Sequence, residues 1–340
     1  MGNELKIGIL GCANIAAKYM IKAFQSTDVI ESISIASRDY SRAKEWADRF
    51  GIKTEESYES LLDSNVDAVY IPLPVGLHKE WIIKAAAKNK HIFCEKSLAE
   101  NFAAVKKIVS FCRSKDVILY ENFMCDFHPQ HAKVLSLIEA GDIGGHFVFQ
   151  GSFGFPPLDR NSFRYNKKLG GSSLSETGAY IVFMARKIFG KEPLSATCNL
   201  FYDKEKEIDI KGVAILEFPD EMVACIAFSF DAMYQNNYSI WGSKGLIKAN
   251  RAYSIPPEMK PILELTTNEN FKESVKNIDV PPANHFELII GDFCDTILNK
   301  EKRADKINDI YSRLIFQAKA LEAMRLSSKE NRKVNIAEIK

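Results

Sequence analysis

Leu5-Lys6-Ile7-Gly8-Ile9-Leu10, continued by Gly11-Cys12-Ala13-Asn14-Ile15-Ala16-Ala17, reads as a short apolar strand, a turn of small residues and the opening of a helix. Such a unit aims backbone N–H groups and the positive end of the helix at one point, which is how a diphosphate is held. The full dinucleotide fingerprint has glycine, glycine and then glycine or alanine at its three small positions. Here they are Gly11, Ala13 and Ala16. Ala16 only has to let the helix lie close to the sheet. Ala13 is the departure, because its methyl group stands where a pyrophosphate comes closest. Gly11, Cys12, Ala13, Asn14 and Ile15 are the candidate cofactor contacts of this turn.

The second strand, Ile30 to Ser37, is β-branched and apolar, and its end should present the contact to the adenosine ribose. The residues there are Ser37, Arg38 and Asp39. A carboxylate at this point suits a free 2′-hydroxyl, whereas a hydroxyl followed by a guanidinium suits a 2′-phosphate, which Arg38 can grip with two parallel hydrogen bonds. Arg42, one helical turn on, adds a second cation. NADP is favoured over NAD, with Asp39 leaving NAD open.

The chain has 340 residues, 46% of them hydrophobic, enough for two cores. A formal net charge of +1 with no long run of either sign gives no electrostatic case for nucleic acid or a membrane as partner. Seven scattered cysteines suit reduced thiols in a cytoplasm better than a disulfide framework. No stretch is apolar enough to span a bilayer, and Met1-Gly2-Asn3-Glu4-Leu5-Lys6 has neither a signal-peptide core nor a myristoylation pattern. A cytoplasmic protein is expected.

Up to Asn122, strands and helices alternate as a parallel sheet demands. Helices are expected over about 41–50, 58–63, 78–89 and 102–114, and strands over 68–71, 91–94 and 117–120. The strand ends are polar or special: Pro72-Leu73-Pro74, Glu95-Lys96 and Glu121-Asn122. Ligands gather at such carboxyl ends. Lys96 can hydrogen-bond an oxygen that gains or loses hydride, and Glu95 can orient it.

Beyond Asn122, phenylalanine, glycine and period-two alternation replace that rhythm. In His146 to Phe155, Phe147, Phe149, Phe153 and Phe155 fall on one face and His146, Val148, Gln150 and Ser152 on the other. Further strands are expected near 194–202, 208–218, 222–230, 238–241 and 245–249, with covering helices near 129–140, 173–189, 285–298 and 307–326. In Met222 to Phe230 both faces are apolar, so one needs cover, most simply from a second subunit. The expected division is 1–122 and 123–340. His128-Pro129-Gln130-His131 opens a helix without a third ligand, so no metal is expected. His128 is read as a substrate contact or a packing residue. Arg164 and Tyr165 are placed in a loop facing the cleft, where Arg164 suits a diphosphate or a sugar hydroxyl.

Taken in order, Gly11-Cys12-Ala13-Asn14-Ile15-Ala16, Ala36-Ser37-Arg38-Asp39, Pro72-Leu73-Pro74 with His78, Glu95-Lys96, Glu121-Asn122, Gly170-Gly171 through Glu176-Thr177-Gly178-Ala179-Tyr180, and Trp241-Gly242-Ser243-Lys244-Gly245 resemble the glucose–fructose oxidoreductase/inositol dehydrogenase (Gfo/Idh/MocA) family. The resemblance covers essentially the whole chain. It implies an α/β protein: an N-terminal Rossmann domain with a parallel sheet, then a C-terminal α/β domain with a large, mainly antiparallel open sheet that forms the subunit interface of a homodimer or homotetramer. It also implies hydride transfer at a sugar or polyol carbon, with Pro72, Leu73, His78, Glu95 and Asn122 added to the cofactor site and Glu176 to the substrate site. Within the family the chain is most similar to NADPH-dependent nucleotide-sugar 3-ketoreductases. Aldose and trans-dihydrodiol dehydrogenases are the alternatives, with a dinucleotide-binding regulator as a non-catalytic one that the retained Lys96 and Tyr180 disfavour.

Two positions depart from the family pattern. Proline normally follows Glu-Lys, but here Ser97 does, and a cis bond before serine costs about 2.5–4 kcal/mol, so a trans peptide is expected unless the site strongly enforces cis. Many members carry histidine where this chain has Tyr180. A phenol stays protonated at neutral pH and suits the acid of a carbonyl reduction, which makes Lys96 and Tyr180 the candidate catalytic pair.

Overall fold

Six parallel strands build the first sheet: β1 (Leu5–Leu10), β2 (Ile30–Ala36), β3 (Lys53–Thr54), β4 (Ala68–Ile71), β5 (His91–Glu95) and β6 (Leu119–Asn122). Their order, β3-β2-β1-β4-β5-β6, is that of a doubly wound dinucleotide-binding domain. The computed structural model describes residues 4–340; Met1, Gly2 and Asn3, part of the stretch read for a leader, lie outside the described residues. β1 and β4 are almost wholly buried, as strands covered on both faces must be. The connecting helices are α1 (Ile21–Gln25), entered through a π turn over Ala16–Met20, α2 (Tyr40–Phe50), α3 (Tyr58–Asp63), α4 (Val75–Ala87) and α5 (Phe102–Ser114). α4 starts three residues before the expected His78, because Pro74 fixes an extended N-cap and the chain turns helical directly behind it.

The helix α6 (Pro129–Glu139) opens the second part, whose sheet has nine strands. They are β7 (His146–Gly154), β8 (Ser195–Asp203), β9 (Ile208–Glu217), β10 (Val223–Ser229), β11 (Gln235–Gly242), β12 (Gly245–Asn250), β13 (Ile262–Glu269), β14 (Lys272–Ile278) and β15 (Val334–Asn335). All pairs are antiparallel except β7 with β10. The hairpin β13–β14 and the short β15 were not foreseen; β14 is exposed along most of its length and lacks the apolar alternation that announces a strand.

α7 (Ala179–Phe189), entered through a π turn over Leu174–Gly178, belongs to the buried side of this sheet. Ala224, Ile226 and Phe228 of β10 are buried on that side, while Val223, Cys225 and Ala227 are half-covered on the other. Register extends the outer face across the strands: Ile215 pairs with Cys225, Val213 with Ala227, and Trp241 with Val148. Phe147 departs from the expected pattern. The pairing slips between Trp241 and Gly242, leaving Phe147 unpaired in a bulge that turns its ring outward onto Trp241, 5.2 Å between centroids.

Two compact units result, one running through Met124 and taking in Phe286–Ile315, the other comprising Cys125–His285 and Phe316–Lys340. The expected division was a single cut, 1–122 and 123–340; here residues 286–315 group with the first unit. The reason is aromatic. In the helix α8 (His285–Leu298), Phe293 packs on Phe93 and Tyr120 at 5.3 and 5.2 Å, and Asp292 accepts a 2.9 Å hydrogen bond from the Tyr120 hydroxyl. The long α9 (Ala304–Glu330) supplies both units, and its Tyr311 donates to the Val117 carbonyl of the first.

Candidate functional site

In the first unit the parallel strands bring their carboxyl ends to one edge, so Gly11, Ser37, Pro72, Lys96 and Asn122 follow or close strands that end together. Gly11 has φ +111°, and a Cβ there would lie 2.9 Å from Leu73 Cδ2 and 3.3 Å from the Tyr58 hydroxyl. Glycine is required both for the turn and for the close approach. The Gly11 N–H donates to the Ala36 carbonyl, which carries the β1–β2 ladder into the turn. Cys12, Ala13 and Ile15 are half-buried and Asn14 is exposed. Burial raises the Cys12 thiol above its usual range, so it is a neutral wall of the turn.

At the end of β2, Asp39 and Arg38 take different places. Asp39 is the N-cap of α2, and its carboxylate accepts from the Ser41 and Arg42 N–H groups at 3.0 and 3.3 Å. Those bonds aim it into its own helix. Ser37 Oγ accepts from the Asp39 N–H, and Arg42 Nη2 reaches back 3.1 Å to the Cys12 carbonyl, so Arg42 braces the turn. Arg38 stays exposed beside it.

Side chains clamp the backbone beyond β4 and β5. The Tyr70 hydroxyl and Asn122 Nδ2 both donate to Glu95 Oε1, at 2.6 and 2.7 Å, tying the ends of three adjacent strands together. Asn122 is fully buried, and its Oδ1 has no hydrogen-bond partner. The His78 ring lies between the Leu73 carbonyl at 2.7 Å and the Ser97 carbonyl at 2.9 Å, and Glu121 Oε1 accepts from the Leu98 N–H at 2.8 Å. Lys96 is 9% exposed. The Lys96–Ser97 peptide is cis, against the trans bond expected. Ser97 is buried, and the hydrogen bonds from His78 and to Glu121 fix the backbone on its C-terminal side, a tertiary context that the bare cost of the bond did not include.

In the second unit Tyr180 stands in the first turn of α7, its ring edge-on to Phe153 at 5.5 Å and 6.3 Å from Tyr253. The start of this helix is fixed by Asp209 of β9, whose buried carboxylate accepts from Ser173 Oγ and the Leu174 N–H, each at 2.7 Å. Asp209 was missed; its only signal is a carboxylate between two apolar residues in Ile208-Asp209-Ile210. Glu176, two residues into the helical segment, accepts from Arg164 Nε at 3.3 Å. Gly171 permits this arrangement, since a Cβ there would sit 2.3 Å from the Arg164 carbonyl oxygen.

Two of the expected substrate contacts, Tyr165 and His128, are buried. Tyr165 is buried with Ile208 and Phe230, its hydroxyl donating to the Phe230 carbonyl and accepting from the Leu158 N–H. It anchors the loop that carries Arg164. His128 is 1% exposed; as the N-cap of α6 it accepts from the Gln130 N–H, and its ring lies 5.6 Å from that of His285. Among the described residues no three His, Cys, Asp or Glu side chains form a metal-ligating group. No helix among them is long and apolar enough to cross a membrane.

Residues 5–123 match the oxidoreductase family model with an NAD-binding Rossmann fold, Gfo/Idh/MocA, and residues 131–248 match the Gfo/Idh/MocA C-terminal domain. The chain is similar to a dTDP-3,4-didehydro-2,6-dideoxy-alpha-D-glucose 3-reductase of Actinomadura kijaniata, 30% identical over 96% of this chain and 97% of that one. A protein of the same name from Saccharopolyspora spinosa is 34% identical over 78% and 80%. The crystal structure of a 3-ketoreductase from Actinomadura kijaniata in complex with NADP and TDP-benzene superposes with a TM-score of 0.89 at 29% identity, covering 95% of this chain and 98% of that one.

Burial of histidine in the second unit has a consequence in pH. Desolvation pushes His128 down to about 4 and His131 and His285 to about 3. These rings are neutral in the fold but take up a proton in the unfolded chain below about 6.5. Unfolding therefore binds protons, and stability falls as pH drops from 6.5 towards 4, by up to about 1.4 kcal/mol per pH unit for each ring; above 6.5 they add no slope. Urea unfolding at pH 7.5 and 5 should show this loss, reduced by one proton's worth in His131→Gln. An equal loss in the variant would remove His131 from the explanation.

Proposed function

From a chain that belongs to the Gfo/Idh/MocA oxidoreductase family, we propose an NADP(H)-dependent cytoplasmic reductase of a keto group on a nucleotide-linked sugar. The observation that carries the cofactor is Asp39, turned into its own helix, beside Ser37 and the exposed Arg38. Gly11, whose φ of +111° and close approach to Leu73 and Tyr58 only glycine tolerates, keeps the turn after β1 tight, which suits a diphosphate lying against backbone N–H groups. When bound there, a reduced nicotinamide supplies hydride to the sugar carbon. Arg38 and Ser37 take the 2′-phosphate, while Arg42 keeps the turn in shape. Glu95, held by Tyr70 and Asn122, fixes the strand end from which Lys96 departs. Lys96 holds the carbonyl oxygen as it gains charge, and Tyr180 gives that oxygen its proton. Arg164, aimed by Glu176, meets the substrate's diphosphate or a sugar hydroxyl. The relatives support the substrate class by name, and solved structures of the Actinomadura enzyme include forms with a single lysine or a single tyrosine replaced.

The outer face of the second sheet supports association through a second copy. Phe147, Phe201, Val213, Ile215, Trp241 and Val275 are 43–62% exposed there, an apolar surface that a homodimer or homotetramer would cover.

Three measurements test this reading. Tyr180→Phe should lower kcat for NADPH-dependent reduction of a dTDP-linked keto-sugar by about 100-fold or more, with KM for NADPH within about twofold. Unchanged turnover would remove Tyr180 from proton transfer. Arg38→Ala should cut kcat/KM for NADPH by about 10- to 100-fold and leave NADH unaffected; an equal loss with both cofactors would move Arg38 off the 2′-phosphate. In sedimentation velocity, Ile215→Lys should shift the protein to a smaller species, and an unaltered oligomer would place the interface elsewhere.

A further inference from the structure

His78 is fully buried, yet both of its ring nitrogens face carbonyl oxygens: Nδ1 lies 2.9 Å from Ser97 O and Nε2 lies 2.7 Å from Leu73 O. A carbonyl oxygen can only accept, and a neutral imidazole has one N–H to give. One contact would then set two lone pairs against each other at hydrogen-bond distance in a site sealed from water. Two such contacts call for two protons.

The far side of the same peptide group supplies the counter-charge. Ser97 C=O and Leu98 N–H belong to one amide; His78 meets its oxygen, and Glu121 Oε1 takes its N–H at 2.8 Å. An amide between a cation at its oxygen and an anion at its nitrogen is polarised in the direction of its own dipole, so each hydrogen bond strengthens the other. Glu95 and Lys96, after β5, also stand at these strand ends; Glu95 accepts from Tyr70 and Asn122. Lys79 and Glu80, next on α4, are exposed.

We infer that His78 is an imidazolium, paired with Glu121 through the Ser97–Leu98 peptide, and that this relayed ion pair is the positioning device that ties the Leu73 loop to the backbone behind Lys96. The protonation state stands on geometry alone. The role in aiming Lys96 rests on the reductase reading.

The whole protein labelled with 15N-histidine provides the test. It has six histidines. Burial lowers the other five: His91 and His128 to about 4, His131 and His285 to about 3, and His146 below its usual value. At pH 7.5 one imidazolium pattern, two protonated nitrogens of nearly equal shift, should appear among neutral rings. Glu121→Gln keeps the shape and removes the charge, and should lower the proton affinity of that ring by about tenfold or more, one pKa unit. A spectrum with six neutral rings, or a Glu121→Gln protein whose imidazolium titrates unchanged, would overturn the inference. The same variant should lower kcat more than it raises KM for NADPH. Absence of any keto-sugar reduction in the wild type would sink the reductase reading and leave the nitrogen spectra to decide the ion pair.

Discussion

Where a buried parallel strand stops, its ladder stops too, and the next backbone groups still need partners away from water. That constraint shapes the edge of the first sheet. Behind β4 and β5 no further strand takes over, so side chains do: His78 for the Leu73 and Ser97 carbonyls, and Glu121 for the Leu98 N–H. Glu95, crossed by Tyr70 and Asn122, closes the row. The polar residues at the strand ends are therefore structural before they are chemical. They hold Lys96 on a segment that is almost closed to solvent.

The second unit meets the same requirement at a helix. The first N–H groups of a helical segment have no partner within it. At Leu174, Asp209 supplies the acceptor from an adjoining strand and takes the Ser173 hydroxyl as well. Tyr180 inherits its place from that cap and from the rings of Phe153 and Tyr253. Arg164 is fixed in a comparable way, through Tyr165 buried below it and Glu176 beside it. In each unit the groups proposed for chemistry are carried by neighbours tied into the fold by hydrogen bonds.

The two sheets handle their faces differently. The parallel sheet is covered by its own helices, and α8 contributes aromatic rings to that cover. The nine-stranded sheet buries one face and leaves an apolar row on the other, from Val213 and Ile215 across to Trp241. Charged residues at those positions would have kept a lone copy soluble at no cost to the inner core. The residues found there suit contact with another copy.

Much of this was legible from the chain alone, for reasons of periodicity and local chemistry. Continuous apolar runs ending in small or polar residues mark buried parallel strands, and alternation marks the half-covered ones. Gly11 was legible because its turn admits few residue types, and Ser37, Arg38 and Lys96 drew notice as polar residues at strand ends; Tyr180 was singled out only through the family resemblance. What only tertiary structure decided were the partners across long sequence separations: Asp39 turned inward as a cap, the cis Lys96–Ser97 bond, Tyr165 and His128 taken into the packing, Asp209 under Ser173, and residues 286–315 returned to the first unit. A sequence pattern reports which face a residue prefers, because that depends on its own polarity and its near neighbours. It does not report which distant donor meets which acceptor, because that is fixed only when the whole chain has found its packing.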